Sequence, residues 1–156
     1  MRLRAVFSAN LLLALMFAGA ANGQDVRTEP VVFDPDGSAV TVEGVIEGYH
    51  IVDYTLEAEA GATLCVRLQT DHTANYFNVL PPGSEEAIFI GSVSGGEWTG
   101  ALPVDGEYRV RVYLMRSAAR RNESADYALR LMVGGASNAG AACRIPAAAV
   151  TGSGTG

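Results

Sequence analysis

The stretch Glu107–Leu114, EYRVRVYL, decides the fold class of this chain. Every second residue in it is apolar, namely Tyr108, Val110, Val112 and Leu114. Successive side chains of a β-strand point to opposite faces of a sheet, so this period predicts a strand with one buried face and one wet face. One-sided burial of this kind is typical of antiparallel sheets.

Similar short segments recur on both sides of this strand. Turn signals rich in Gly and Pro separate them, such as Ala60-Gly61, Pro81-Pro82-Gly83 and Gly95-Gly96. This spacing favours an all-β antiparallel β-sandwich, of jelly-roll type, with about eight strands. The insertion Met115–Ser124 does not have a strand pattern, and one helical turn could form within it at Ala118–Arg121. The predicted strands are Val40–Glu47, His50–Ala58, Thr63–Gln69, Asn75–Leu80, Ala87–Gly91, Glu97–Leu102, Glu107–Leu114 and Asp126–Val133.

The N-terminus has the layout of a signal peptide. Arg2 and Arg4 precede the apolar run Leu11–Ala20, which is short for a membrane span, and small residues follow it. We therefore predict that residues 1–23 direct export and are removed after Ala20 or Gly23. A lead-in segment at 24–39, a β-sandwich domain at 40–133 and a flexible Gly/Ala-rich tail at 134–156 follow.

The charge of the chain is negative throughout most of its length. The formal net charge is −6, and removal of residues 1–23 leaves nine arginines, no lysine and 17 acidic residues, a net charge of −8. Such a protein is a poor partner for nucleic acid or for an anionic membrane surface. We expect no nucleic-acid partner, and no membrane contact after the signal is cleaved.

Two cysteines, Cys65 and Cys143, remain in the exported chain. Export places them in an oxidising compartment, where a disulfide between them would attach the tail to the domain. The alternative is two unpaired thiols, with Cys65 acting as a small buried apolar residue.

No constellation in the sequence predicts catalysis or a bound cofactor. The chain has two histidines, His50 and His72, each beside a turn, and we interpret both as solvated loop or edge residues. No nucleophile motif accompanies them, and two histidines without a third ligand at useful spacing do not predict a metal site. We therefore expect a binding protein rather than an enzyme.

Positive charge is concentrated between residues 109 and 121. Arg109 and Arg111 share one face of a predicted strand, where acids across the sheet could pair with them. The other three arginines fall on a loop held between two strands, where recognition often resides: Arg116, Arg120 and Arg121. The alternative is a solvated loop whose arginines pair with Glu123 and Asp126.

One run of this region carries a family resemblance. The segment Val112–Glu123, VYLMRSAARRNE, with the weaker pieces Asn75–Asn78 and Gly106–Tyr108, resembles the periplasmic inhibitors of goose-type (g-type) lysozyme over about residues 40–133. The strand layout is also similar to that of pre-peptidase C-terminal β-sandwich domains, a likeness that concerns the fold alone.

The first resemblance implies a periplasmic protein that binds a g-type lysozyme and occludes its active-site cleft. It implies Arg116 and Arg120 as anchors, Arg121 in support, and Tyr49 and Tyr113 as aromatic contacts, since tyrosine offers a large contact area at low entropy cost. Tyr113 could equally be a sheet-face residue and Tyr49 a turn residue. The alternative function is a secreted sandwich module that binds cell-wall glycan or another protein without inhibiting anything.

Overall fold

Nine strands form two facing sheets in the computed structural model, which describes residues 25–33 and 39–134 of the chain. The predicted signal peptide, most of the predicted tail and Cys143 lie outside the described residues. The strands are β1 Val26–Pro30, β2 Val40–Glu47, β3 Ile51–Ala58, β4 Thr63–Thr70, β5 Asn75–Leu80, β6 Phe89–Ile90, β7 Glu97–Ala101, β8 Gly106–Leu114 and β9 Ser124–Gly134. Two helical turns accompany them, α1 Gly91–Ser94 and α2 Arg116–Ala119.

The sheet order confirms the predicted antiparallel sandwich of jelly-roll type. The five-stranded sheet has the order β1-β3-β8-β5-β6, and the four-stranded sheet has the order β2-β9-β4-β7. From β2 onward the chain changes sheet at every connection except the one between β5 and β6. This alternation between two packed sheets is the jelly-roll arrangement. Among the described residues, no helix is long and apolar enough to cross a membrane.

Two elements differ from the prediction. Strand β1 lies within the segment that we expected to be a lead-in, and it pairs with β3 in parallel, Val26 opposite Ile51, at the edge of the five-stranded sheet. Strand β6 has two residues because the chain turns into α1 at Gly91. A Cβ atom on Gly91 would lie 2.4 Å from the backbone oxygen of Phe77, so only glycine allows this close approach to β5.

The core is filled by the apolar residues that alternate along the strands. Phe77 and Phe89 stack with their ring centroids 5.0 Å apart, and Trp98 packs against Phe89 at 5.9 Å. The hydroxyl oxygens of Tyr54 and Tyr127 lie 2.8 Å apart and join the two sheets. Each buried hydroxyl thus has a hydrogen-bonding partner, as buried polar groups require.

Candidate functional site: the arginine-bearing tip

Three connections meet at one end of the sandwich, and together we call them the tip: residues 48–50 between β2 and β3, residues 71–74 between β4 and β5, and residues 115–123 between β8 and β9. The backbone N–H of Gly48 donates to the carbonyl oxygen of Glu123 at 2.9 Å. The N–H of Met115 donates to the carbonyl oxygen of Ala74, also at 2.9 Å. The third connection therefore contacts both of the others.

The third connection carries α2, a helical turn that begins at Arg116, two residues before the predicted turn. Its N–H groups bond back along the chain, as in Arg120 to Arg116 at 3.0 Å. Ala118 and Ala119 are buried, which anchors the turn on the sandwich, while Arg116 and Arg120 are exposed. Residues four apart are neighbours on one face of a helix, so the two arginines project side by side from the tip.

Arg116 and Arg120 are available to a partner. In residues 25–33 and 39–134, neither guanidinium has an acceptor or an ion-pair partner. Arg121 differs, because its Nε donates to Oε1 of Glu123, and Arg121 holds the pKa of that carboxyl below its usual value. The intradomain pair that we weighed as the alternative is therefore present for Arg121.

The two predicted tyrosines lie in different settings. Tyr49 follows Gly48 in the β2–β3 connection and is 47% exposed, so its ring is part of the tip surface. Tyr113 is half-buried on the outer face of the five-stranded sheet, in register with Ile51 and Tyr76. Its hydroxyl donates to Oδ1 of Asn78 at 3.1 Å, which makes it a sheet-face residue next to the tip.

The strand arginines are engaged by acids on the outer face of the five-stranded sheet. Arg111 donates to both carboxylate oxygens of Asp53, whose side chain is 4% exposed. Arg109 pairs with Glu85 at 2.7 Å and also donates to the carbonyl oxygen of Ser84. These two arginines therefore stabilise the sheet and are not part of the tip.

One tip residue has a role that the sequence reasoning did not find. His72 was expected to be a solvated loop residue, but its Nε2 lies 3.0 Å from Oε2 of Glu123, and its side chain is 25% exposed. The two residues are 51 positions apart in the chain. No local pattern signals a contact at that separation, since it depends on how the β4–β5 and β8–β9 connections meet.

Neither a metal-binding cluster nor a fully exposed tryptophan is found in the part of the chain that the structure describes. Within residues 25–33 and 39–134, no group of three or more His, Cys, Asp or Glu side chains could hold a metal. Trp98 packs against the core, so it does not present a free aromatic platform of the kind that a glycan-binding module needs. Cys65 is buried in β4, and its pairing with Cys143 stays a prediction.

Known proteins resemble this chain over most of its length. No protein-family model matches it. An inhibitor of g-type lysozyme from Escherichia coli (strain K12) is 27% identical over 139 residues, which cover 85% of this chain and 99% of that protein.

Solved structures show the same relationship. The crystal structure of PliG from Aeromonas hydrophila, a periplasmic lysozyme inhibitor of g-type lysozyme, has a TM-score of 0.65 and 35% identity, covering 71% of this chain and 99% of that one. PliG from Salmonella Typhimurium, at 22% identity and a TM-score of 0.54 over 69% of this chain and 97% of its own, supports the fold alone. The match to the Aeromonas protein over nearly its whole length shows that this chain belongs to the family of periplasmic inhibitors of g-type lysozyme.

Proposed function

We propose that this protein inhibits a g-type lysozyme in the periplasm by placing its tip in the active-site cleft of the enzyme. It is a binding protein and not an enzyme, as its relatives are inhibitors. The observation that supports the tip as the binding surface is the pair Arg116 and Arg120, exposed, adjacent and without an acidic partner in the described part of the chain.

The chemistry of a lysozyme cleft suits such a pair. Glycoside hydrolysis is carried out by carboxyl groups that flank the bond to be cleaved. A guanidinium is planar and can donate two parallel hydrogen bonds to one carboxylate. Because Arg116 and Arg120 have no internal pair to break among the described residues, they can bind these carboxylates and exclude the sugar without first losing an ion pair of their own.

The charge of the rest of the protein supports the same partner. After removal of residues 1–23 the chain has a formal net charge of −8, and its two available tip arginines are a local exception. A negative surface raises the association rate with a cationic lysozyme, whereas the tip arginines act at short range once the proteins are in contact. Steering and anchoring are thus carried out by charges of opposite sign.

The test is inhibition of a g-type lysozyme by the mature protein and by single-site variants. Removing a central anchor of an interface typically costs about 2 kcal/mol or more, so we expect Arg116→Ala and Arg120→Ala each to weaken inhibition about 30-fold. Arg130→Ala is the matched control, because Arg130 lies in β9 and also lacks a side-chain partner among the described residues.

The outcomes separate clearly. The proposal requires near-stoichiometric inhibition by the unmodified protein, a large loss in both tip variants and none in Arg130→Ala. Both tip variants should unfold at the same temperature as the unmodified protein, since both tip side chains are exposed. Equal inhibition by the tip variants and the control would exclude the tip as the anchor, and absence of inhibition by the unmodified protein would exclude the function.

A further inference from the structure

The connection between β8 and β9, residues 115–123, is called the arginine loop, and one connected set of contacts holds it at both ends. At its C-terminal end, the carboxylate of Glu123 accepts a hydrogen bond from Arg121 and contacts Nε2 of His72 at 3.0 Å. At its N-terminal end, the N–H of Met115 donates to the carbonyl oxygen of Ala74 at 2.9 Å. His72 and Ala74 belong to the same short connection between β4 and β5.

The imidazole of His72 completes this set of contacts. Its Nδ1 accepts the backbone N–H of Ala74 at 3.1 Å. A nitrogen that accepts carries no proton, so in neutral His72 the proton is on Nε2, which then donates to Glu123. The contacts therefore run from Glu123 through His72 and Ala74 to Met115. Together with the chain from residue 115 to residue 123 they form a closed ring.

A second set of contacts ties the β2–β3 connection to the same loop. Asn122 has a φ of 53°, in the left-handed region that Asn tolerates, and its Nδ2 donates to Oε1 of Glu47. The N–H of Gly48 donates to the carbonyl oxygen of Glu123 at 2.9 Å. The turn that carries Tyr49 and the loop that carries the arginines thus have fixed relative positions.

We propose that Glu123 is a positioning residue for inhibition, which presets the orientation of Arg116 through the ring that it forms with His72. This inference rests on the proposed function, because it assigns Glu123 a role at the same surface. Ordering a loop on binding reduces affinity, and a loop ordered beforehand avoids that loss. Glu123 is 30% exposed and engaged on both oxygens inside its own domain, so it acts on the partner through the arginine loop.

The experiment is a double-mutant cycle measured as binding to immobilised g-type lysozyme. Glu123→Ala should weaken binding about tenfold when Arg116 is present, and less than about threefold in the Arg116→Ala background, since residues that act through one network are not additive. His72→Ala should behave in the same way. Glu97→Ala is the control, because it removes the acid of the exposed Arg67–Glu97 pair on the four-stranded sheet.

A structural readout accompanies the cycle. Hydrogen exchange at the Ala74 and Met115 amides should accelerate in Glu123→Ala and stay unchanged in Glu97→Ala. An equal effect of Glu123→Ala in both arginine backgrounds, or unchanged binding, would overturn the positioning role. Those results would leave the proposed function intact provided that the unmodified protein inhibits and Arg116→Ala inhibits about 30-fold more weakly, so the two failures are distinguishable.

Discussion

Arg111 holds the buried carboxylate of Asp53 through two parallel hydrogen bonds, Nε to Oδ1 at 2.7 Å and Nη2 to Oδ2 at 2.8 Å. The two residues face each other across β3 and β8. Asp53→Ala would remove both bonds from Arg111, whose side chain is 22% exposed and keeps a longer contact with Glu85 at 3.4 Å. The cost should therefore lie near about 3 kcal/mol, the low end of the range for a broken buried pair.

We therefore expect Asp53→Ala to lower the free energy of unfolding by about 3 kcal/mol, measured by urea denaturation. The exposed pair of Arg67 and Glu97 provides the comparison. Removing Glu97 should cost less than about 1 kcal/mol, because solvent screens exposed pairs. A similar small cost for Asp53→Ala would show that the buried pair does not stabilise the sheet.

The carboxyl of Glu85 should titrate below its usual pKa of 4.5, because it accepts a hydrogen bond from Arg109 and lies in the field of that charge. A depressed pKa contributes stability above the unfolded-state pKa, and this contribution is lost as the pH falls through the folded-state pKa. In an NMR titration, Arg109→Ala should raise the pKa of Glu85 toward 4.5. Arg67→Ala should leave it unchanged, and a pKa unaffected by Arg109→Ala would contradict the pairing.

The hydroxyl pair of Tyr54 and Tyr127 predicts coupled effects on stability. Burial raises the pKa of both phenols, so each remains protonated and able to take part in the 2.8 Å contact between them. Tyr127→Phe should cost about 1–2 kcal/mol, because it leaves the hydroxyl of Tyr54 without this partner. In the Tyr127→Phe background, Tyr54→Phe should lower the free energy of unfolding by less than it does in the unmodified protein. If thermal denaturation shows that the two losses of stability add, the hydroxyl groups are not coupled.

Gly48 and Gly61 form a matched pair for testing the tip. Both have positive φ, 56° and 84°, so alanine is strained at either position. At Gly48 a Cβ atom would also lie 2.6 Å from Oδ1 of Asn122, whereas at Gly61 it would meet nothing within 4 Å. Gly61→Ala should lose about 1 kcal/mol of stability and Gly48→Ala at least as much, because of its contact with Asn122, but only Gly48→Ala should weaken inhibition of a g-type lysozyme. Equal inhibition by the two variants would show that the Gly48 contact does not shape the binding surface.

The alternation of apolar and polar residues predicted most of the fold, because a strand with one buried face has an apolar residue at every second position. In Glu107–Leu114 the period is complete, and the structure has β8 there. Strand β1 was missed because five residues ending in Pro30 carry no such period, and its pairing depends on the position of β3. The turn at Gly91 was missed for a similar reason, since its cause is the nearby backbone of Phe77.

The site was predicted only in part, because a sequence does not show which charges pair. Arg120 and Arg121 are adjacent and chemically identical, yet one is without a side-chain partner in the described residues and the other is bound to Glu123. Arg121 reaches the carboxylate of Glu123 two residues further along the chain, whereas Arg120 is the C-cap residue of α2. The role of His72 depends on a contact between distant connections and has no local signal.

Ala118 and Ala119 are buried, whereas Arg116 and Arg120 are exposed. Attachment to the sandwich and contact with a partner are therefore carried out by different residues of this helical turn. The alanines carry the attachment to the sandwich, so the exposed positions can change without a loss of packing. Positions 116, 117 and 120 can therefore be randomised together to select inhibitors of a different enzyme, while the β-sandwich is kept unchanged.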